Sequence, residues 1–195
     1  DMLDYADVVA INKFERRGAQ DALRDVARQL VRNRGAFGTP PEQMPVFGTS
    51  AATFNDDGVT AIYQFVKGLL VDKGLGAALD AQARRSLVPT TVKADTIGRY
   101  PPELEAAVYF SCLEALQNVA KYADASSATV TLTQSNGHLT FEVADDGSGF
   151  DPEAVRSGTG LQGIADRLSA LHGELTIRSE PGAGTRVRGR IEVGA

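Results

Sequence analysis

The sequence predicts an α+β fold: a two-layer sandwich of helices on an antiparallel-rich sheet, preceded by a short parallel α/β unit. Three observations predict it. Over residues 1–70, strand-like and helix-like patterns alternate as strand, helix, strand, helix, the grammar of a parallel sheet. Over residues 71–195, one long apolar-patterned helix precedes four strands and a further helix, with turn residues between them. The composition also allows a packed core, because 43% of the 195 residues are hydrophobic.

In chain order, residues 7–12 (Asp-Val-Val-Ala-Ile-Asn) read as a buried strand. Residues 18–33 place Ala22, Leu23, Val26, Ala27 and Leu30 at helical spacing. A loop with Gly35, Gly38, Pro40 and Pro41 follows. Met44-Pro-Val-Phe-Gly then reads as a second strand, although Pro45 removes a donor. Asn55-Asp-Asp-Gly opens a helix through Val59, Ile62, Phe65, Val66 and Leu69, with Asn or Asp as its cap. The join to the second part falls near 68–74. Leu75, Ala78, Leu79 and Ala83 mark an amphipathic helix, and Thr90-Thr-Val-Lys-Ala a strand. After Pro101-Pro102 a long helix runs over 103–122. Strands are expected at 127–133, 139–144, 174–179 and 185–192, with a helix at 161–171 between the second and third. Ser135-Asn-Gly-His and Pro181-Gly-Ala-Gly are the turns.

Charge and cysteine content narrow the function classes. The net charge is −5 with no basic cluster in the sequence, which argues against nucleic acid or an anionic membrane as the main partner. One cysteine, Cys112, sits within an apolar helical pattern. It permits no disulfide framework within the chain and suits a reducing cytosol. No apolar run reaches membrane-spanning length, and no Cys/His spacing supports zinc. His138 falls in a hairpin turn and His172 at a helix end, ordinary places for histidine.

Three runs carry chemistry. On a helix, Glu114, Asn118 and Lys121 share one face at i, i+4 and i+7. A carboxylate, an amide oxygen and an ammonium in one row suit a magnesium-bound triphosphate; the plain alternative is a solvated helix face. Asp145-Asp-Gly147-Ser-Gly149 follows an alternating strand. A carboxylate there can accept from an exocyclic amine such as that of adenine, and the glycines let the backbone approach a flat ring. An ordinary acidic turn is the alternative. The third run is Gly158-Thr159-Gly160-Leu161-Gln-Gly163, with a later Gly182-Ala-Gly-Thr185. It matches G-x-G-x-x-G, but the polar, Pro-bearing 151–157 stands where a dinucleotide fold needs a buried strand. These glycines fit better as a flexible lid over 151–163 that runs into a helix N-terminus able to meet phosphates.

In this order the three runs resemble the N, G1 and G2 boxes of the histidine-kinase branch of the GHKL ATPases, the Bergerat fold. The resemblance covers about residues 70–193 and is nearest to two-component sensor kinases with a short, actinobacterial-type catalytic domain. The family often has His after the N-box lysine; here it is Tyr122. The resemblance implies ATP and Mg2+ as cofactors. It makes Glu114 the catalytic group, with Asn118 on the metal and Glu114 reaching it through water. Asn118, Lys121, Tyr122, Asp145, Gly147, Gly149, Gly158, Thr159, Gly160, Leu161, Gly163 and Thr185 would form the ATP site. It implies a cytoplasmic protein that passes the γ-phosphate to a histidine on a dimerisation domain and then to a response regulator. A serine-directed, anti-sigma-like GHKL kinase and a nucleotide-binding module without turnover are the alternatives. No histidine precedes His138, so the acceptor is expected from another domain and the chain to be largely monomeric.

The first 70 residues resemble the second half of the G domain of the GTPase associated with, or fused to, B12-dependent acyl-CoA mutases. Asn12, Lys13 and Glu15 end one strand, and Ser50 and Ala51 end the next, as guanine-reading loops do; the family commonly has Asp where Glu15 stands. No G-x-x-x-x-G-K-[ST] occurs, so a truncated G domain without GTP hydrolysis is expected. A fragment of a mutase GTPase chaperone is a further alternative.

Overall fold

The computed structural model describes residues 3, 8–50, 56–94, 97–151 and 159–194. The chain divides into two compact units, Asp1–Gly68 and Leu69–Ala195, with the division inside one helix.

In the first unit β1 (Val9–Asn12) and β2 (Val46–Thr49) pair in parallel, Val9 beside Val46 and Asn12 beside Thr49. Parallel strands need a crossover, and α1 (Ala19–Asn33) provides it. Its apolar stripe buries Ala27 and Leu30 with Val46, and Val9, Ile11, Leu23, Val26 and Met44 pack around them. Pro45 stands just outside β2, where its missing N–H costs no ladder bond; its carbonyl accepts the Val9 N–H at 2.9 Å. α2 (Asp57–Lys73) begins after Asp56, whose carboxylate accepts the Val59 N–H at 2.9 Å. Asn55, the other candidate cap, lies outside the described residues.

The second unit holds α3 (Leu75–Ala83), β3 (Thr90–Lys93), α4 (Pro102–Asn118), β4 (Ala128–Ser135), β5 (His138–Asp145), α5 (Thr159–Ser169), β6 (Glu174–Ser179) and β7 (Thr185–Glu192). The strands form one sheet in the order β3-β4-β5-β7-β6, with β3 parallel to β4 and every other pair antiparallel. Asn136 and Gly137 turn between β4 and β5 with φ of 50° and 72°, the left-handed pair that a two-residue hairpin demands. Alternate residues of the strands face the helices. Val130, Leu132, Leu139, Phe141, Val143, Val187 and Ile191 are buried, as are Val108 and Cys112 of α4 and Ile164 and Leu168 of α5. Each large side chain so buried contributes about 1.5–3 kcal/mol. Burial also pushes the Cys112 thiol far above its ordinary range, which keeps it an inert packing group.

Two elements differ from the sequence expectation. The helix expected over 103–122 is α-helical only to Asn118; Val119–Ala123 form a π-helical turn, closed by Asp124 in the left-handed region at φ 49°. The Ala123 carbonyl, unpaired within the helix because it is the last of the turn, accepts the Ser148 N–H at 2.7 Å. The helix expected through Leu69 runs on to Lys73, within the stretch expected to join the two parts. Arg99 Nη2 donates to the Leu70 and Val71 carbonyls, both at 2.9 Å; Leu70 also accepts the Gly74 N–H at 2.8 Å, and Val71 is a carbonyl the helix end leaves without a partner of its own.

The same Arg99 holds a buried charge. Glu105, 1% exposed on α4, accepts Arg99 Nε and the Tyr100 N–H, each at 3.1 Å. Removing one partner of a buried pair leaves an uncompensated carboxylate. Because Arg99 is half-exposed, Arg99→Met should destabilise the second unit by about 2–3 kcal/mol, somewhat less than breaking a fully buried pair costs. Urea unfolding measures it; an unchanged midpoint would show that water already serves Glu105.

Candidate functional site

A cleft of about 540 Å³ opens between the helix layer and the sheet of the second unit. Its helical wall is Glu114, Ala115 and Asn118 of α4, followed by Val119, Lys121 and Tyr122 of the π-helical turn. Val143 and Asp145 of β5, Ser148–Phe150 beyond it, and Thr185 and Val187 of β7 make the sheet side. Gly160 and Leu161, in the first turn of α5, close a third side. The floor of Ala115, Val119, Val143 and Val187 is apolar, and the polar groups stand around it.

Of the residues singled out from the sequence, Glu114, Asn118, Lys121, Tyr122, Asp145, Gly149, Gly160, Leu161 and Thr185 line this one cleft. They come from four segments that are remote in sequence. Tyr122 is 75% exposed, so it stands at the rim. Thr159 begins α5. Gly163 lies one turn along that helix, where its nearest outside neighbour is the Arg167 side chain, away from the lining. Gly158 and the segment 152–158, on which the lid expectation rests, lie outside the described residues. Neither His138 nor His172 lines the cleft.

The turn after β5 is fixed by hydrogen bonds. Asp145 Oδ1 accepts the Gly147 N–H at 2.9 Å, which orients the carboxylate and leaves its second oxygen for a ligand. A Cβ on Gly147 would strike the Ala123 carbonyl that Ser148 needs. Gly149 has φ 59°, and a Cβ there would strike the Glu180 carbonyl.

Sequence reading missed two groups that hold this turn. Asp146 accepts from the N–H and hydroxyl of both Ser126 and Ser127, at 2.7–2.9 Å. These bonds, the Ser126 hydroxyl first, hold its carboxyl well below the usual carboxylate range. Ser179, buried at the end of β6, donates to the Gly184 carbonyl at 3.1 Å and accepts the Phe150 N–H at 2.9 Å. With its only proton so used, it also accepts from the Thr185 hydroxyl at 2.9 Å, and the lone pairs of Thr185 stay available. The paired Asp-Asp of the motif was the available signal for Asp146; nothing local marks Ser179.

The first unit gathers a smaller set. Asn12 Oδ1 accepts the Lys13 N–H at 2.7 Å, with Lys13 at φ 57°, and the Phe14 N–H reaches the Thr49 carbonyl at 3.0 Å. The Ser50 hydroxyl is the first of the groups that lower the Glu15 carboxyl below its ordinary value. Asn12, Lys13, Glu15 and Ser50 thus meet at the carboxyl ends of β1 and β2. Ala51 lies outside the described residues.

Comparison with known proteins finds two kinds of relative. Residues 104–194 match the family model of the histidine kinase-, DNA gyrase B-, and HSP90-like ATPases. The chain is 75% identical over 75 residues to a fused isobutyryl-CoA mutase of Nocardia farcinica, covering 38% of this chain and 7% of that protein. It is 42% identical over 144 residues to the fused isobutyryl-CoA mutase of Cupriavidus metallidurans, covering 71% of this chain and 13% of that one. The chain therefore spans only a small part, 13% or less, of these curated relatives. Among solved structures, the histidine kinase domain of the Erythrobacter litoralis blue-light activated histidine kinase superposes with a TM-score of 0.56 at 17% identity, over 98% of this chain and 91% of that one. The longer structure of that kinase gives 0.58 at 20%, over 92% and 61%. The C-terminal part thus resembles the GHKL catalytic domains and shares their fold, and the N-terminal part resembles the fused mutases.

The Asp146 clasp has a pH signature. Its folded value is depressed, so its contribution to stability is present above the unfolded value of 3.8 and is lost as pH falls below it. The fall in urea midpoint between neutral pH and about pH 3 should be smaller in Asp146→Asn than in the parent chain. Equal falls would show that the clasp does not survive in solution.

Proposed function

We propose that the second unit is the ATP-binding catalytic part of a histidine kinase, which transfers the γ-phosphate to a histidine supplied by another domain. The observation that carries this reading is the convergence of Glu114, Asn118 and Asp145 on one cleft whose third side is the start of a helix.

The chemistry follows from the positions. An adenine ring suits the apolar floor, and its exocyclic amine would donate to the oxygen of Asp145 that Gly147 leaves unused. The phosphates would then run toward Gly160 and Leu161, where the N–H groups of a helix start favour anions, and toward Lys121. Among the described residues no cluster of three or more His, Cys, Asp or Glu side chains could hold a metal unaided. The donors present, an amide oxygen and a carboxylate, fit Mg2+, which is held chiefly by the nucleotide's own phosphates. Asn118 would be its protein ligand and Glu114 would reach it through water; bound there, Mg2+ would neutralise charge on the phosphates. Glu114 would also accept a hydrogen bond from the attacking imidazole and so orient it. Phosphoryl transfer needs little else beyond in-line alignment and charge stabilisation. The partners of this reading are a dimerisation domain carrying the acceptor histidine and a response regulator.

A second reading attaches to the first unit. The meeting of Asn12, Lys13, Glu15 and Ser50 at two strand ends, with the identity to fused isobutyryl-CoA mutases, supports a guanine-reading half of a G domain. Without a phosphate loop it would bind guanine nucleotides feebly.

Titration calorimetry should find ATP with Mg2+ bound far more tightly than GTP. Asp145→Asn should cost about 1–3 kcal/mol, roughly tenfold or more in Kd. Asn118→Ala should remove the Mg2+-dependent part of the affinity, and Glu114→Gln should slow phosphotransfer more than binding. Unchanged ATP affinity in Asp145→Asn would take the base out of this cleft. With γ-labelled ATP, acid-labile label should appear on an added acceptor domain; equal labelling of this chain alone, on His138 or His172, would contradict supply of the acceptor by another domain.

A further inference from the structure

The sheet of the second unit has a second functional-looking surface, on the side away from α4 and α5. Along β7, Val187, Gly189 and Ile191 are buried, while Arg186, Arg188 and Arg190 alternate with them and are exposed. On β6, Arg178 is exposed and lies directly across from Arg186 in the ladder. Four guanidinium groups thus share one pleated face of an acidic chain, in a groove of about 540 Å³. Glu142 and Glu174 stand among them. Arg186 Nη1 reaches Glu142 Oε1 at 3.2 Å, whereas Arg178, Arg188 and Arg190 hold no ion pair among the described residues.

Cross-strand pairing accounts for part of this arrangement, since Arg188 stands directly opposite Glu142 and Arg190 directly opposite Glu174, pairs of opposite charge that favour a ladder. It does not account for Arg178 opposite Arg186, a like-charged pair that destabilises one. Alternation by itself asks only for polar side chains on the solvated face, and Thr140 and Thr176 of the same groove satisfy it.

We propose that this face docks an extended acidic segment of a partner protein. Three features select that partner. Arginines at every second residue of β7 repeat at about 6.7 Å, the spacing of same-side residues in an extended peptide. The planar guanidinium fork matches a carboxylate bidentately. The interspersed Glu142 and Glu174 would repel a continuous phosphate backbone, whereas a peptide backbone is uncharged and its N–H groups can donate to them. The groove also carries no aromatic ring other than the His138 imidazole, so it lacks the stacking platforms of sheets that bind single-stranded nucleic acid. The nucleotide cleft is left open, because it uses the opposite faces of β5 and β7, through Val143 and Val187. The inference does not rest on what that cleft binds.

The test uses the full chain and a fluorescein-labelled ten-residue peptide of alternating glutamate and serine, read by anisotropy at low and moderate salt. Binding is expected, weakening as salt rises. Arg188→Glu with Arg190→Glu should weaken it by more than about tenfold, while Arg188→Lys with Arg190→Lys should keep most of it. Thermal melts show that the variants fold. Arg178→Thr should weaken the peptide yet raise Tm, since it removes the opposed charge. No peptide binding, binding indifferent to the double charge reversal in a folded variant, or tighter binding of a twenty-nucleotide single-stranded DNA than of the peptide would each overturn the proposal.

Discussion

The second unit depends on one junction, where the turn after β5 is tied to the end of the α4 segment. Ser148 donates to the Ala123 carbonyl, and Asp146 collects four hydrogen bonds from Ser126 and Ser127. These ties hold the helix layer and the sheet at a fixed separation where the cleft opens. The π-helical turn leads into this junction and carries Lys121 and Tyr122 on the cleft. The bonds in which the ionised Asp146 accepts are stronger than neutral ones.

The strands divide their two faces between different tasks. One set of alternate residues supplies the core and the cleft floor, with Phe141 packed against Gly189 and Leu168 near them. The other set carries charge to solvent. Because the pleat has a period of two, neither set can be altered in register without exchanging the faces wholesale. Val187 and Arg188 are neighbours in sequence yet belong to different surfaces. A single strand in this way lines the cleft on one side and carries a row of arginines on the other.

The first unit is built on a smaller scale. Two parallel strands and the crossover helix bury few large side chains, and its ordered polar groups lie at the strand ends. That is where parallel sheets place ligand loops. Glu15 meets Ser50 there, and that hydroxyl is the first of the groups that hold its carboxyl low. High identity to the fused mutases over 75 residues fits a segment that kept its packing with that geometry.

The sequence by itself determined the class and order of the elements, and most of the candidate site. Periodicity marked the strands and helices because burial on one face imposes a period of two or of 3.6. Glu114, Asn118 and Asp145 were legible because their chemistry shows in short runs. The tertiary structure alone decided the rest. It ended α4 at Asn118, carried α2 to Lys73 through the Arg99 contacts, and turned Gly163 away from the cleft. It recruited Asp146 and Ser179, whose partners lie 20 and 29 residues away. It also set Arg178 of β6 beside the alternating arginines of β7 on one basic face. Each of these rests on contacts between segments remote along the chain. Local periodicity carries no record of such contacts, because it reports which side of an element is buried and not what stands opposite it.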